Sequence, residues 1–600
     1  MIWKTEHINQ NTKNTHDEIQ KLINNSAENT EVSASIFSLG IIGGGPKGMY
    51  ALEELIDKIK KENCNTNIRV YWWNETTHFG SGPNYQTDQD DFLLINYCIG
   101  HIDAWDRRDG VVDNQLNFVQ WIEQNKTIDS EVQPTDYASR ALVGHYLQST
   151  LLQIIDSKPS SIELVLIPES VEAIQLTANA NFRVESVKHQ VLIDNLLLAT
   201  GHCYQNKSLL GCDEDLLPNQ YFRSAYPITK LETIPAQSKV GIIGWGLTFI
   251  DVALALTEGR GGTFDDEGNY IASGHEPILL PFSRNQLPIM PRGPIYGQNT
   301  YILQYIDDKW LQSVQTLSKN RKIDFSKDIL PILEKELKYA YYSTLLQTDD
   351  VAKVENYIHS LPEEELFSYH QLLFPSIPQA SSVQEAYIHY LDNLILEAEK
   401  GELRSPLMAA TAVWREASPF IAEIYKMGGF TGDSHNYLDK KLFGAYCRTS
   451  YGPPIQNMKK IQALLKAGII KTYWIDTVEL DYIGHEKHFI LKHSTHQEQV
   501  DFIIDARIAR PDIVANNASL YQNLYENKII KPFDNEGYLP GTVAMNSAGK
   551  VKHPQHIPLY FYGSNTEGVF LDNDSLSRKK NNIAPFWVNE VINQYRSFTK

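Results

Sequence analysis

At 600 residues the chain is longer than one hydrophobic core normally serves, so two or more domains are expected. Its formal net charge of −19 argues against a nucleic acid as the main partner, because releasing counterions from phosphates requires a basic face. Five cysteines are scattered without a C-x-x-C pair and no apolar run reaches the length of a membrane span, which argues against a disulfide framework, a zinc or other metal centre and a membrane protein, and fits a reducing cytoplasm.

Residues 1–34 are rich in Asn, Thr and Glu with a weak apolar pattern at Ile19, Leu22 and Ile23, and are expected to form a mobile polar arm with one short helix. The stretch Ser38-Leu-Gly-Ile-Ile-Gly-Gly-Gly-Pro-Lys-Gly-Met49 then reads as strand, tight turn and helix. Gly43, Gly45 and Gly48 stand at G-x-G-x-x-G spacing. The first permits the turn, the second lets a pyrophosphate approach the backbone, and the third lets helix pack on strand. Met49, Leu52, Leu55, Ile56 and Ile59 continue at helical spacing, and Ile68–Trp73 follows as a strand closed by Glu75, near where a ribose-binding acid belongs. In the loop Phe79-Gly-Ser-Gly-Pro-Asn-Tyr85, Gly80 and Gly82 mark either a plain turn or a close approach to a flat ring system. A polar and aromatic cluster, His101, Asp103, Trp105, Arg107 and Arg108, is structural or belongs to a substrate pocket. Arg140 opens a helix, where it clamps a phosphate or solvates the helix face. Ile162–Ile167 is a strand, and the run from Val191 to His202 reads as one strand buried on both faces, with Thr200 and Gly201 at the end where ligands of parallel sheets collect.

The opening pattern recurs at Val240-Gly-Ile-Ile-Gly-Trp-Gly-Leu-Thr-Phe249. Gly244 and Gly246 match the first two glycines and Phe249 takes the third place. Two such units suit one fixed electron carrier and one diffusible donor. Arg284, just beyond the strand Ile278–Phe282, is placed to accept a 2′-phosphate, which favours NADPH over NADH. Residues 297–440 read as an all-helical insertion, either a cap over the substrate pocket or an oligomer interface. Strands return at residues 471–480, 488–493 and 500–506. A strand, glycine and helix pattern at the C-terminus suggests that the chain returns to complete the first domain. The fold class expected is therefore α/β: two Rossmann-like, doubly wound, three-layer units spanning 35–232 and 233–510, the second interrupted by the helical insertion, with 511–600 as the return segment.

Taken together, Gly43-x-Gly-Pro46-x-Gly48, the Gly80-Ser-Gly82 loop, Leu-Ala-Thr-Gly-His202, Gly244-x-Gly246-Leu-Thr-x-x-Asp251 and Ser283-Arg284-x-x-Leu-Pro288 resemble the two-dinucleotide flavoproteins. The group nearest in pattern includes urate hydroxylases and nitrosuccinate-forming amino-acid N-monooxygenases. The resemblance implies an FAD site formed by Gly43, Gly45, Pro46, Gly48, Glu75, Gly80, Gly82, Asn96, Arg140, Thr200, Gly201, Gly563, Gly568, Leu576 and Ser577. It implies an NADPH site, with NADH as the other donor, at Gly244, Gly246, Leu247, Thr248, Ser283 and Arg284. The implied activity is monooxygenation through a hydroperoxyflavin, most simply N-hydroxylation of an amino acid or similar small amine. The partners are then that substrate and molecular oxygen, with His101, Asp103 and Arg107 as catalytic candidates. Ring C-hydroxylation by the same flavin, another FAD and NAD(P)H oxidoreductase activity, and a non-catalytic flavin-binding redox sensor are the alternatives. Two departures matter. Phe222-Arg-Ser-Ala-Tyr226 lacks the F-x-G-x-x-x-H pattern of Baeyer–Villiger enzymes, and Asp505-Ala-Arg-Ile508 lacks the glycine turn that related proteins repeat there.

Overall fold

The computed structural model describes the chain except residues 27–35, 63–66, 106–109, 111, 203–208, 211–216, 218, 285, 473–478, 485–486, 494–496, 516–517 and 600. Phe37–Ile42 (β1) runs through the glycine turn into Pro46–Lys61 (α1), followed by Ile68–Trp73 (β2), Arg140–Asp156 (α2), Ile162–Ile167 (β3) and Asn195–Leu198 (β4). The second unit comprises Tyr221–Phe222 (β5), Lys239–Ile243 (β6), Leu247–Ala255 (α3) and Ile278–Phe282 (β7). After the helices come Phe502–Asp505 (β8), Leu559–Phe561 (β9) and the C-terminal helix Ala584–Phe598 (α4).

Two parallel sheets organise these elements, in the orders β9-β4-β1-β2-β3 and β5-β8-β6-β7. Both are covered on their faces, which explains their near-continuous apolar runs: in the second unit helices pack on Val240, Ile242 and Leu279, and the antiparallel strands bring Leu480, Phe489 and Leu491 onto Ile243, Leu280 and Ile503. The units share more than a sheet. Each carries a three-stranded antiparallel sheet immediately before a parallel strand: Val171–Leu176, Phe182–Ser186 and Gln190–Ile193 before β4, and Glu479–Ile483, His488–Lys492 and Gln497–Val500 before β8. β9 joins the first sheet beside β4, and Trp587 on α4 donates from Nε1 to Asn195 Oδ1 at 2.8 Å, so the C-terminal segment packs into the first unit's core.

Several expectations are corrected. The run from Val191 to His202 is not one strand: Gln190–Ile193 belongs to the antiparallel sheet and Asn195–Leu198 to the parallel one. The break is at Asp194, whose carboxylate accepts from the Ser38 amide at 2.7 Å while its own amide donates to Ser38 O at 2.8 Å. A strand filling 500–506 is likewise interrupted at Asp501, and of the expected strand at 471–480 only Glu479 onward is regular, residues 473–478 lying outside the described residues. The N-terminal arm, over residues 1–26, is docked rather than mobile. Ile2–Trp3 pairs with Tyr137–Ala138, the N-terminal ammonium reaches Asp136 Oδ1 at 2.6 Å, Trp3 Nε1 reaches Asp136 Oδ2 at 2.9 Å, and Ile19 and Ile23 are buried.

The helical block divides into two. Helices within 308–346 and 406–450 enclose a core of their own, into which Leu571 of the C-terminal segment inserts. Val383–Lys400 instead contributes Tyr387, Leu391, Leu394 and Ile395 to the core of the second unit, alongside Ile461 and Leu464 of Ile455–Lys466. Excising the whole block would therefore remove apolar side chains that shield β6 and α3.

Candidate active site

The two glycine turns are built alike. Gly43 and Gly244 have φ of 114° and 106°, a left-handed conformation that suits glycine. Each amide donates to the last carbonyl of the neighbouring strand, Gly43 N to Trp73 O at 2.9 Å and Gly244 N to Phe282 O at 2.8 Å. Gly45 and Gly246 are the N-caps of α1 and α3, so free amides at the start of each helix face outward from the turn. The third position differs. A Cβ on Gly48 would lie 2.5 Å from Gly43 O, whereas Phe249 in the second unit is fully buried beside Trp245.

Around the first turn the chain leaves a cradle fit for a dinucleotide. A Cβ on Gly82 would stand 2.8 Å from Gly45 Cα, so the Gly80-Ser-Gly82 loop closes directly on the turn, while one on Gly45 would meet nothing nearer than 4.0 Å. Ser81 Oγ, Asn565 Oδ1 and Asn573 Oδ1 are buried polar atoms without a protein partner, as is Ser283 Oγ in the second unit. Such orphans at a helix N-terminus fit a cofactor that supplies the missing hydrogen bonds. Asn74, not Glu75, backs the turn: Asn74 Oδ1 accepts from Gly44 N at 3.0 Å, and Glu75 is exposed beyond it.

The C-terminal segment reaches this cradle through α1. Lys47 Nζ donates to Ser577 O at 2.9 Å and Tyr50 Oη to Leu576 O at 3.0 Å, and a Cβ on Gly563 would touch Lys47 Cγ at 3.1 Å. Burial pulls the Lys47 ammonium down to about 7 against the attraction of Asp574. Thr200 Oγ1 shares a 2.7 Å hydrogen bond with Tyr521 Oη, and Asn565 Nδ2 donates to Leu198 O at 3.0 Å. Gly201 and Gly568 take φ of 64° and 99° in the same neighbourhood. His202 Nε2 lies 2.9 Å from Asp574 Oδ1; burial alone would lower the imidazole, but the carboxylate raises it above its ordinary value.

Other expected ligands are engaged elsewhere. Arg140 is held by protein groups: its guanidinium is 2.6 Å from Asp251 Oδ2 and donates to Tyr226 Oη at 3.2 Å and Leu94 O at 3.2 Å. Tyr226 also donates to Asp251. This buried triad ties α2 to α3 and hence one dinucleotide unit to the other; burial would lower Arg140, but Asp251 holds it above its ordinary value. Asn96 links three segments, with its Nδ2 donating to Tyr451 O at 3.2 Å and Arg292 Nη2 donating to Asn96 O at 2.6 Å. Within the cluster at 101–108, His101 Nε2 meets Ile295 O at 2.9 Å, Asp103 Oδ1 accepts from the Trp105 amide at 3.1 Å and Trp105 is buried; Arg107 and Arg108 lie outside the described residues.

In the second unit, Leu247 and Thr248 form the first turn of α3, and Arg284 is exposed at the end of β7. Tyr387 of the helical block packs on Trp245 with centroids 5.1 Å apart and donates to Gln286 O at 2.6 Å, fixing the turn and the segment after Arg284. Arg507 forms a two-pronged contact with Asp505 at 2.9 and 2.6 Å, and its Cγ would lie 3.4 Å from a Cβ on Gly244. Here a charged pair stands where the glycine turn of related proteins is missing.

Residues 40–203 match the model of an FAD-NAD(P)-binding family, NAD_binding_9. The chain is 25% identical to an L-aspartate N-monooxygenase (nitrosuccinate-forming) of Streptomyces davaonensis over 79% of this chain and 82% of that protein. It is 23% identical to the nitrosuccinic acid synthase npaA of Aspergillus oryzae, over 84% of this chain and 83% of that one. An L-aspartate N-monooxygenase (nitrosuccinate-forming) of Streptomyces cremeus shares 22% identity over 72% of this chain and 73% of its own. With two glycine turns of the same construction, a cradle of unpartnered polar atoms over the first and the match of residues 40–203 to an FAD-NAD(P)-binding model, the chain carries an FAD/NAD(P)-binding domain and is a flavin-dependent oxidoreductase.

Proposed function

We propose that this oxidoreductase is an NADPH-using monooxygenase that N-hydroxylates the amine of a small amino acid. The observation that carries this reading is similarity to nitrosuccinate-forming enzymes over about four fifths of both chains, 79% of this one and 82% of the Streptomyces davaonensis protein. The chemistry FAD supplies when bound is acceptance of a hydride from NAD(P)H and delivery of one atom of dioxygen to a nucleophile. The protein's part is to hold that cofactor, exclude water and present an unprotonated amine. Gly45 and Gly82 with Lys47, Tyr50 and the 576–577 segment form the holding surface. Glu567 is suited to accept the amine's proton. Burial pushes its carboxyl up to about 7 despite Arg510, and its Oε1 is engaged by the amides of Asn573 and Asp574, which leaves Oε2 as the accepting atom.

The substrates are then an amino acid and dioxygen, and a reducing cytoplasm suits the free thiols of Cys98 and Cys447. Among the described residues no helix is long and apolar enough to cross a membrane. Oxygen uptake driven by NADPH should rise when an amino acid is added, and the product should be heavier by oxygen with the N–O bond intact. NADPH oxidation yielding a ring-hydroxylated product, or only hydrogen peroxide with every amino acid tried, would sink this reading.

NADPH preference rests on Arg284. A guanidinium on a 2′-phosphate contributes about 1.5–3 kcal/mol, so Arg284→Ala should raise the KM for NADPH roughly ten- to a hundredfold while leaving NADH almost untouched. Equal effects on both donors would remove Arg284 from the role.

A further inference from the structure

Around the C-terminal segment at 567–580 lies a group of charged side chains that neither glycine turn uses. Arg510 follows β8 in a loop where the sequence carries no recognisable signal, and its side chain is 53% exposed. The guanidinium carbon sits 4.5 Å from the centroid of the Phe443 ring, which supports one face of the fork. The nearest carboxylate is Glu567 Oε2, 3.9 Å from Nη1, an ion-pair distance too long for a hydrogen bond. Among the described residues, no acceptor lies within hydrogen-bond reach of the Arg510 guanidinium.

The acidic groups nearby already have partners. Glu567 Oε1 takes the amides of Asn573 and Asp574, Asp572 takes Lys580 and the Tyr451 hydroxyl, and Asp574 takes His202 and the Ser564 hydroxyl. A planar cation with several N–H donors, braced on an aromatic ring, is thus left with no hydrogen-bonding anion of its own among the described residues. Guanidinium groups bind carboxylates through two parallel hydrogen bonds, which a carboxylate ligand supplies to an open fork of this kind. Glu567 and Arg510 side by side also present opposite charges to a ligand that itself carries an ammonium and a carboxylate.

We infer that Arg510 anchors a carboxylate of the amino-acid substrate, with Phe443 bracing the guanidinium and Glu567 facing the substrate amine. This rests on the N-hydroxylation reading and assigns the residue that recognises the acid group. The test uses the FAD-loaded enzyme and L-aspartate, followed by titrating the change in flavin absorbance at equilibrium, beside β-alanine and L-alanine, which each lack one of its carboxylates. Arg510→Met should bind L-aspartate roughly ten- to a hundredfold more weakly, Arg510→Lys should fall between, and flavin content, thermal midpoint and the KM for NADPH should stay as in the wild type. The analogue lacking the carboxylate that Arg510 holds should bind wild type and Arg510→Met equally. Unchanged L-aspartate affinity in Arg510→Met overturns the assignment, as does loss of flavin, which would make Arg510 a cofactor ligand. A wild type that ignores L-aspartate yet forms an N–O product from an amine without a carboxylate overturns it too and leaves N-hydroxylation standing. Formation of no N–O product from any amine is failure of the functional reading itself.

Discussion

Replacing Gly45 by valine should yield a folded but colourless protein. A Cβ at this position meets no atom nearer than Gly82 Cα at 4.0 Å, so the first carbon of the side chain causes no clash with the polypeptide. What the branch occupies is the approach of a pyrophosphate to the turn, since Gly45 caps α1 and its side of the turn is otherwise open. Loss of two charge-assisted hydrogen bonds at about 1.5–3 kcal/mol each weakens FAD a hundredfold or more. The control is Gly48→Val, whose Cβ would lie 2.5 Å from Gly43 O and 3.1 Å from Trp72 Nε1. That clash is against backbone, so the cost falls on the fold, at about 3 kcal/mol. Flavin absorbance per chain and the thermal midpoint should therefore move separately: flavin alone for Gly45→Val, the midpoint for Gly48→Val. Stoichiometric flavin in purified Gly45→Val would show that the first turn does not hold the cofactor.

The second large effect is expected at Arg578. Its side chain is 1% exposed and bonds Glu53, with Glu54 Oε2 at 3.5 Å, Ala104 O at 3.4 Å and the Tyr50 ring centroid at 5.2 Å. Glu53 and Glu54 lie on α1, so this cluster pins the segment carrying Leu576 and Ser577 to the helix that follows the glycine turn. Arg578→Met removes the cation from a buried ion pair with Glu53, and breaking such a pair costs about 3–5 kcal/mol. Chemical denaturation should show that loss, and the flavin should dissociate more readily because Ser577 is no longer held against Lys47. Replacing Arg578, Glu53 and Glu54 together by apolar residues of similar volume should recover much of the stability, since this buried ion pair is then removed whole rather than broken. A single variant as stable as the wild type would mean that the triad contributes nothing to holding the segment.

Local backbone chemistry made much of this protein legible from its residues. Gly43 and Gly244 adopt conformations that a side chain disfavours, so the turns announce themselves in composition, and the strands Ile68–Trp73, Ile162–Ile167 and Ile278–Phe282 have the bounds their apolar runs imply. The doubly wound class follows from those elements in that order. What could not be read depends on partners distant in the chain. Whether Val191 to His202 is one strand or two is settled by the bonds of Asp194 to Ser38, and whether the polar arm moves is settled by Asp136 and the pairing of Ile2–Trp3. Arg140 looked equally fit to bind phosphate or water, and only the approach of α3 gives it Asp251. The same holds for Arg510, an ordinary arginine in a loop until Phe443 and Glu567 are brought to it. Periodicity and glycine spacing record the constraints a residue places on its own backbone. The pairing of a buried charge is fixed by which elements share a core, and that information is spread over the whole chain rather than written beside the residue.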